Sequence, residues 1–530
     1  MTNMTQTNIT ELANRRCADR VHVRSGAPHS LRELECKPPE LADICAELFT
    51  EAGYSFAGLI VEEETSQWEL RYVFYGGDEA GWVHVVVRQP AADIAFPSIS
   101  SEVHAADWHE REAEDLFGLV FEGHPRLGDF VLHNDRWHEN LGPMRHSFDG
   151  SNPVTHREPD LDWRPHRIVE APGAFAMPIG PKFSGVTESV HFLLETVGED
   201  VIRTIPRLFY KYRAVEKIAE GRAVENALLL AERFAATTAF AHALAFCQAV
   251  ESISGIAVPP RARVLRVFLA ELERLRHHAG AIQEICESTA LVVASNQAAI
   301  LEEELLRLSG VFAGHRYLFG VTAPGGLSRT FEGTACRAVV QQAQAILKRL
   351  DQLEKMLRTS SSFLDRLEEV GIVSERDAKN HGLAGPVARA SGVGRDLRKA
   401  QPYSGYEAFA FDVPLEQEGD GYARLRVLFA EARQSVKLME QAVASLPGGQ
   451  VTAADFKLKP GAALGWVEAP RGATFHWLRI GDDGRVTRYR LITPSFANWH
   501  GFHMAAEQFA FQDFPIILAT FDLSVAENDR

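Results

Sequence analysis

The sequence predicts an α+β fold: a small N-terminal α+β domain, then a larger and mainly helical-bundle domain with short peripheral strands. Three observations carry this. Residues 56–90 hold three strand-length segments, "FAGLIVEEE", "WELRYVFYG" and "GWVHVVVRQP", alternating or apolar and separated by Gly and Asp turns. From about Leu193 onward, apolar residues recur at i, i+3, i+4 and i+7 over long stretches, as helices packed in a bundle require. The chain has 530 residues, enough for two or more domains that each bury a core.

Taken in order, residues 1–20 read as a flexible N-terminus and residues 21–125 as the α+β domain. In that domain "PPELADICAELFTEAGY" (38–54) has helical spacing and precedes the three strands. The segment from Trp108 to about Pro178 is rich in Trp, His and Pro, low in periodicity and full of turn signals; residues 126–178 are expected to form an extended strap or linker. Residues 179–530 form the helical domain, with helices expected over 223–253, 262–294, 297–308, 337–370 and 422–445. Beyond Gly461 the pattern returns to short strands and turns, ending with the apolar "FPIILATF".

Composition removes several classes of function. With 46% hydrophobic and 24% charged residues the balance is that of a soluble globular protein. A net charge of −16 and the lack of a Lys/Arg block argue against a nucleic-acid partner and against a polybasic membrane anchor. "MTNMTQTNITELANRR" lacks the apolar core of a secretory signal, so a cytoplasmic location is expected. The nearest candidate for a membrane span, Phe234–Val250, contains Thr237, Thr238, His242 and Gln248 and reads as a buried bundle helix. Cys17, Cys36, Cys45, Cys247, Cys286 and Cys336 are scattered with no Cys-x-x-Cys, which suits reduced, buried thiols and no cluster of the chain's own.

Generic motifs are sparse. Gly392-Val-Gly394 begins a Gly-x-Gly-x-x-Gly pattern, but Leu397 takes the third glycine position and no clear strand precedes it. His277-His278 and Trp499-His500-Gly-Phe-His503 lack acids at ligand spacing and read as surface or hydrogen-bonded core histidines. "ERFAATTAFAHALAF" (232–246) looks like a metal-binding turn without thiolates.

Residues 108–148, "WHEREAEDLFGLVFEGHPRLGDFVLHNDRWHENLGPMRHSF", closely resemble the signature of the 30-kDa subunit of respiratory complex I: Trp108, Glu110 to Glu112, Asp115 to Gly118, Gly123-His124-Pro125 and Arg145 match it. Downstream, "PIGPKFSGVTE" (178–188), "GLAGPVARASGVGRDLR" (382–398), "PYSGYEAF" (402–409), "VEAPRGA" (467–473) and "PSFANW" (494–499) follow one another as in the 49-kDa subunit of complex I and its relative, the large subunit of group 4 NiFe hydrogenases such as formate hydrogenlyase. Fusion of both subunits in one polypeptide is itself typical of the hydrogenase-4 and formate-hydrogenlyase branch.

The resemblance implies site residues. In the hydrogenase branch the first motif is Glu-Arg-x-Cys-Gly-x-Cys; its cysteines align with Ala235 and Thr238, while His242 keeps its place. The second, Asp-Pro-Cys-x-x-Cys, aligns with "FDLSVAENDR", its cysteines at Ser524 and Glu527. Ala, Thr, Ser and Glu cannot supply the soft thiolate field that nickel and low-spin iron need, so no NiFe centre and no metal is expected. In the complex I branch the quinone-binding His and Tyr align with Phe183 and with a position near Ala236. Phe183, Ala236 and Thr238 would then line an apolar cleft with room for a quinone ring.

Glu188 aligns with a hydrogenase acid that passes protons, and is either that relay or a surface, salt-bridged glutamate. Arg233 and His242 fall near the partner subunit's 4Fe-4S cluster, as tuning groups or as structural contacts. Arg389, Asp396, Arg398, Glu468 and Arg471 read as a buried charge network. Two functions are open: the large cytoplasmic-face subunit of a membrane-bound energy-converting oxidoreductase complex, coupling electron transfer to proton or ion movement, or a non-catalytic scaffold that transmits conformational change. Either implies a small iron–sulfur subunit, membrane subunits resembling antiporters and a ferredoxin-like subunit as partners.

Overall fold

The computed structural model of the protein describes residues 21–24, 31–76, 81–134, 137–138, 141–151, 158, 162, 172–181 and 188–530. The flexible N-terminus expected over 1–20, Cys17, Phe183 and much of the expected strap lie outside the described residues.

The N-terminal domain is a five-stranded sheet of β1 (Val21–Arg24), β2 (Leu31–Cys36), β3 (Tyr54–Glu63), β4 (Gln67–Gly76) and β5 (Trp82–Pro90), in the order β1-β2-β5-β4-β3. β2 runs parallel to β5 and the other pairs are antiparallel. β2 has no strand signal of its own, and the sequence pattern missed it; parallel pairing with the apolar β5 holds it in place. Nearly every residue of β4 is buried, because both faces of the sheet are covered. One face packs on the helical turns at 38–51. The other meets the sheet formed by residues 461–492 through Tyr75 against Phe475 (5.5 Å between ring centres) and Trp82 against Trp466 (4.9 Å).

The Trp-, His- and Pro-rich segment opens with a helix, α1 (Asp107–Phe117), closed by Gly118 in the left-handed conformation. It is amphipathic, and its Trp, Glu and His side chains are buried against neighbours. A second sheet follows, built of β6 (Ala174–Ile179), β7 (His191–Val197) and β8 (Asp200–Arg207) with the short Phe509–Ala510 strand on β8.

The helical domain contains α2 (Val224–Arg233), α3 (Ala239–Ser254), α4 (Pro260–Ser288), α5 (Val292–Ala313), α6 (Gly333–Leu357) and α7 (Gly421–Ala444). α4 packs against α5 and α7, and α6 against α5 and α7. Three expected helices end elsewhere. The 223–253 helix is broken at Ala235–Thr238, the 262–294 helix stops at Ser288 where Ala290 turns left-handed, and the 337–370 helix stops at Leu357. The first break is capped from outside: the Glu273 carboxylate on α4 accepts hydrogen bonds from Phe240 N (2.8 Å) and Ala241 N (3.0 Å), two of the unpaired N–H groups that open α3.

A third sheet, β9 (Gly461–Ala469), β10 (Gly472–Ile480) and β11 (Val486–Ile492), is antiparallel and lies against α3. The terminal segment "FPIILATF" is a helix, α9 (Phe514–Phe521), and α8 (Pro494–Ala505) precedes it. Buried ion pairs join the two domains: Glu112 on α1 accepts from Arg490 (2.5 Å) and Arg530 (2.8 Å), and Glu62 on β3 pairs with Arg479 (2.6 Å). Among the described residues no helix is long and apolar enough to cross a membrane.

One glycine sets how closely α3 approaches the third sheet. A Cβ at Gly465 would lie 1.9 Å from the Ala245 carbonyl oxygen, so backbone meets backbone there. Gly465→Ala is expected to push helix and sheet apart and to cost about 1–3 kcal/mol, read as a lowered thermal midpoint. An unchanged midpoint would show that the close approach is not required.

Candidate functional site

The break between α2 and α3 faces residues 522–529, which follow α9. Thr238, at the base of the break, is fully buried, and its hydroxyl donates to Glu527 Oε1 (3.3 Å). The Glu527 backbone N–H donates to Ser524 Oγ (3.2 Å), and the Thr238 N–H to the Ala235 carbonyl (3.1 Å). The four positions aligned with the nickel ligands, Ala235, Thr238, Ser524 and Glu527, are therefore close in space across almost 290 residues of sequence. Among the described residues, no group of three or more His, Cys, Asp or Glu is arranged to hold a metal ion. The donors present at these positions, two hydroxyls and one carboxylate, do not fit a NiFe centre.

A cation occupies the middle of this cluster. Arg471, in the tight turn between β9 and β10, reaches Glu527 Oε1 (3.4 Å) and Asp522 Oδ1 (3.2 Å), and donates to Thr237 Oγ1 (3.1 Å) and the Asp522 carbonyl (2.7 Å). His277 on α4 holds the other Asp522 oxygen at 2.6 Å. Burial raises the Glu527 carboxyl, but Arg471 and then His242 outweigh it and bring it down to about 2. Asp522 is held well below its ordinary range in the same way, by Arg471 and His277 against burial. Burial takes His277 down to about 4, with Asp522 only partly opposing. Both carboxylates are thus ionised at neutral pH beside a permanent guanidinium.

Behind Glu527 runs a line of polar groups inside the apolar core. The Tyr489 hydroxyl on β11 is 2.9 Å from His476 Nδ1 on β10, and His476 Nε2 is 3.1 Å from His242 Nδ1 on α3. His242 Nε2 stops 3.8 Å from Glu527 Oε1 and makes no hydrogen bond among the described residues. The tautomers set the direction of this line. With Tyr489 donating to His476 Nδ1, His476 Nε2–H donates to His242 Nδ1 and His242 carries its hydrogen on Nε2, facing Glu527; with the tautomers reversed, the line runs the other way. Burial drives the His476 imidazole well below its usual range, with His242 adding to the effect, and keeps the Tyr489 phenol protonated.

The remaining expected residues are dispersed. Glu188 is exposed rather than set in an apolar cleft; its carboxylate accepts from Val525 N (2.6 Å) and Ala526 N (3.1 Å), clamping the segment that carries Ser524 and Glu527. Arg233 is half-exposed at the end of α2, 5.4 Å from the centre of the Phe319 ring, away from the cluster. Ala236 is at the exposed surface, and Phe183 lies outside the described residues. Arg389, Asp396, Arg398 and Glu468 do form a buried network with Glu271 and Glu431, whereas Arg471 belongs to the site. His277 and His278 are buried, the latter 2.9 Å from Glu431.

The pH response of this cluster has a definite sign. The folded Glu527 carboxyl, near 2, lies below the ordinary 4.5, so its roughly 3 kcal/mol of stabilisation is present above pH 4.5 and is lost as pH falls toward 2. The stability gap between the wild type and Glu527→Gln should close across that window in urea unfolding; a constant gap would contradict the assignment.

Comparison with known proteins agrees with this geometry. Residues 34–154 match the family model of the respiratory-chain NADH dehydrogenase 30 Kd subunit, and residues 297–462 and 452–530 match that of the 49 Kd subunit. Formate hydrogenlyase subunit 5 of Escherichia coli is 31% identical over 454 residues, covering 85% of this chain and 79% of that protein. Hydrogenase-4 component G of the same organism is 29% identical, over 86% and 79% of the two chains. The fused C/D polypeptide of the NADH-quinone oxidoreductase of Bdellovibrio bacteriovorus is 33% identical, over 66% and 63%. The chain belongs to the family of fused 30-kDa/49-kDa-type subunits that includes those of NADH-quinone oxidoreductases, formate hydrogenlyase and hydrogenase-4.

Proposed function

We propose that the protein is the large peripheral subunit of a membrane-bound, energy-converting oxidoreductase complex of the complex I and hydrogenase-4 type, working on the cytoplasmic face without a NiFe centre. Its partners in this reading are a small subunit bearing a 4Fe-4S cluster, antiporter-like membrane subunits and a ferredoxin-like donor. Its own part is to handle a proton as an electron arrives. One observation carries this: the donor chain Tyr489–His476–His242 ends on an ionised carboxylate, Glu527, at the point where the two aligned motifs converge.

The residues define what this chain can do. Arg471 keeps Glu527 ionised at rest, and His242 holds a hydrogen on the nitrogen that faces it. Added negative charge nearby, as when an electron reaches the partner's cluster, raises the proton affinity of the carboxylate. Shortening the 3.8 Å gap by about 1 Å would give hydrogen-bond contact. A proton delivered to the Tyr489 oxygen can then be relayed, Tyr489 O–H to His476 Nδ1, His476 Nε2–H to His242 Nδ1 and His242 Nε2–H to Glu527, so that Tyr489 and both imidazoles end uncharged and only the carboxylate is neutralised. No step is assigned to a quinone: of the residues expected to line its cleft, Ala236 is at the surface and Thr238 is engaged with Glu527.

The scaffold reading draws on a different observation, the dense pinning of residues 522–530. Asp529 accepts from Phe209 N (2.9 Å) and Lys211 N (2.8 Å), and Arg530 is fully buried against Glu112 and Glu216. Tyr489→Phe separates the two readings, because it keeps the packing and removes the first donor. In the intact complex it should lower proton-coupled turnover roughly tenfold or more while the cluster is still reduced at the wild-type rate. Unchanged turnover would leave the scaffold.

A further inference from the structure

Of the Trp499–His503 stretch, Trp499 reaches the Glu527 site through a hydrogen bond to the Ser524 carbonyl (3.4 Å), while His500 and His503 turn elsewhere. Both histidines of that stretch line a separate cavity of about 630 Å³, enclosed by α1, the 125–130 loop, β7, β8, His381 and α8. This volume is in the range of small-molecule sites. Its body is apolar, with Trp108, Phe130, Leu193, Ile205 and Phe209 among the walls.

The polar part of the lining is one-sidedly basic. Arg111, Arg126, Arg203 and Arg207 line the cavity with His104, His191, His381, His500 and His503, against Asp107 and Asp129. Both acids are engaged: Asp107 lies 3.0 Å from His124 and 3.3 Å from His500, and Asp129 pairs with Arg207 at 2.9 Å. The lining thus carries more cationic groups than these two acids can balance. Arg203 shares a strand face with Ile205 and, across the pairing, Leu193, the face that is turned to the cavity.

We propose that this cavity binds a small organic anion with a ring or other apolar body, a carboxylate being the simplest case, with Arg111 and Arg203 receiving the anionic end. An inorganic anion would leave the aromatic walls without a partner, and a neutral ring would leave the arginines unanswered. The site is distinct from the Glu527 cluster, and it does not depend on the proton relay.

Proton linkage follows from the same lining. His381 faces His104, His500, His503 and Asp377; His503 faces His500, His381 and Arg126. Burial first, and then the crowding of these basic groups, bring both down to about 4, so both are uncharged at neutral pH. An anion among them raises their proton affinity. Binding therefore takes up protons, and affinity rises as pH falls from neutral.

The probe is 2-naphthoate, titrated calorimetrically into the full chain, with 2-naphthamide and inorganic phosphate as controls. Naphthoate is expected to bind at one site and more tightly at pH 6 than at pH 8, with neither control binding there. Arg203→Gln should weaken it about tenfold. Arg203→Glu, which puts a negative charge at the same place, should abolish it. Absence of naphthoate binding, equal binding of naphthamide, tight binding of phosphate alone, or naphthoate binding unchanged in both variants would each overturn the proposal.

Discussion

Arg471 is the charge on which the site depends. Its guanidinium lies between Asp522 and Glu527 in a nearly water-free space, and two buried carboxylates that close to one another would not both remain ionised without it. A buried pair of this kind is weak evidence for stability, since the cost of desolvating three charges offsets much of their attraction. Its consequence is specificity: one position of residues 522–529 satisfies Arg471, Thr237 and Thr238 together. Loss of the cation would leave two buried carboxylates with His277 and His242 as their only basic neighbours in the cluster.

The second constraint is the close contact of α3 with the third sheet. Small residues on α3 and Gly465 on β9 let the backbones touch, and that places His242 within hydrogen-bonding distance of His476. The break that begins α3 needs a cap from elsewhere, and Glu273 supplies it. Burial raises this carboxyl to about 7, offset in part by Arg276 and the two backbone N–H groups. Helix start, sheet contact and donor chain are thus one arrangement, in which packing sets the electrostatics.

Much of the fold was legible in the sequence. The three long strands of the first sheet, α3 to α7 in outline and the change of architecture after Gly461 follow from hydrophobic period. What escaped was set by tertiary contact. The apolar run through Phe234–Val250 conceals the break at Ala235–Thr238, because its cap is on another helix. α1 was hidden by the turn-rich, Trp-, His- and Pro-dense segment that it opens. At the site, motif resemblance pointed to Thr238, His242, Ser524 and Glu527, which converge, and to Arg233, which sits apart. Nothing in the alternation of β10 and β11 marks His476 or Tyr489, whose inward orientation is decided by α3. The pair His500 and His503 was visible as a motif, but a cavity walled by two domains has no linear signature.

The proton-handling role rests on an ordered line of donors that ends at an ionised Glu527. The direct measurement is nitrogen NMR of the protein labelled with ¹⁵N-histidine, with His242→Gln and His476→Gln used to assign the two signals. At neutral pH His476 should be uncharged, and both rings should carry a hydrogen on Nε2 with Nδ1 as acceptor. An imidazolium at either position, or a hydrogen on Nδ1 of either ring, would mean that the chain does not point at Glu527, and the relay would fall.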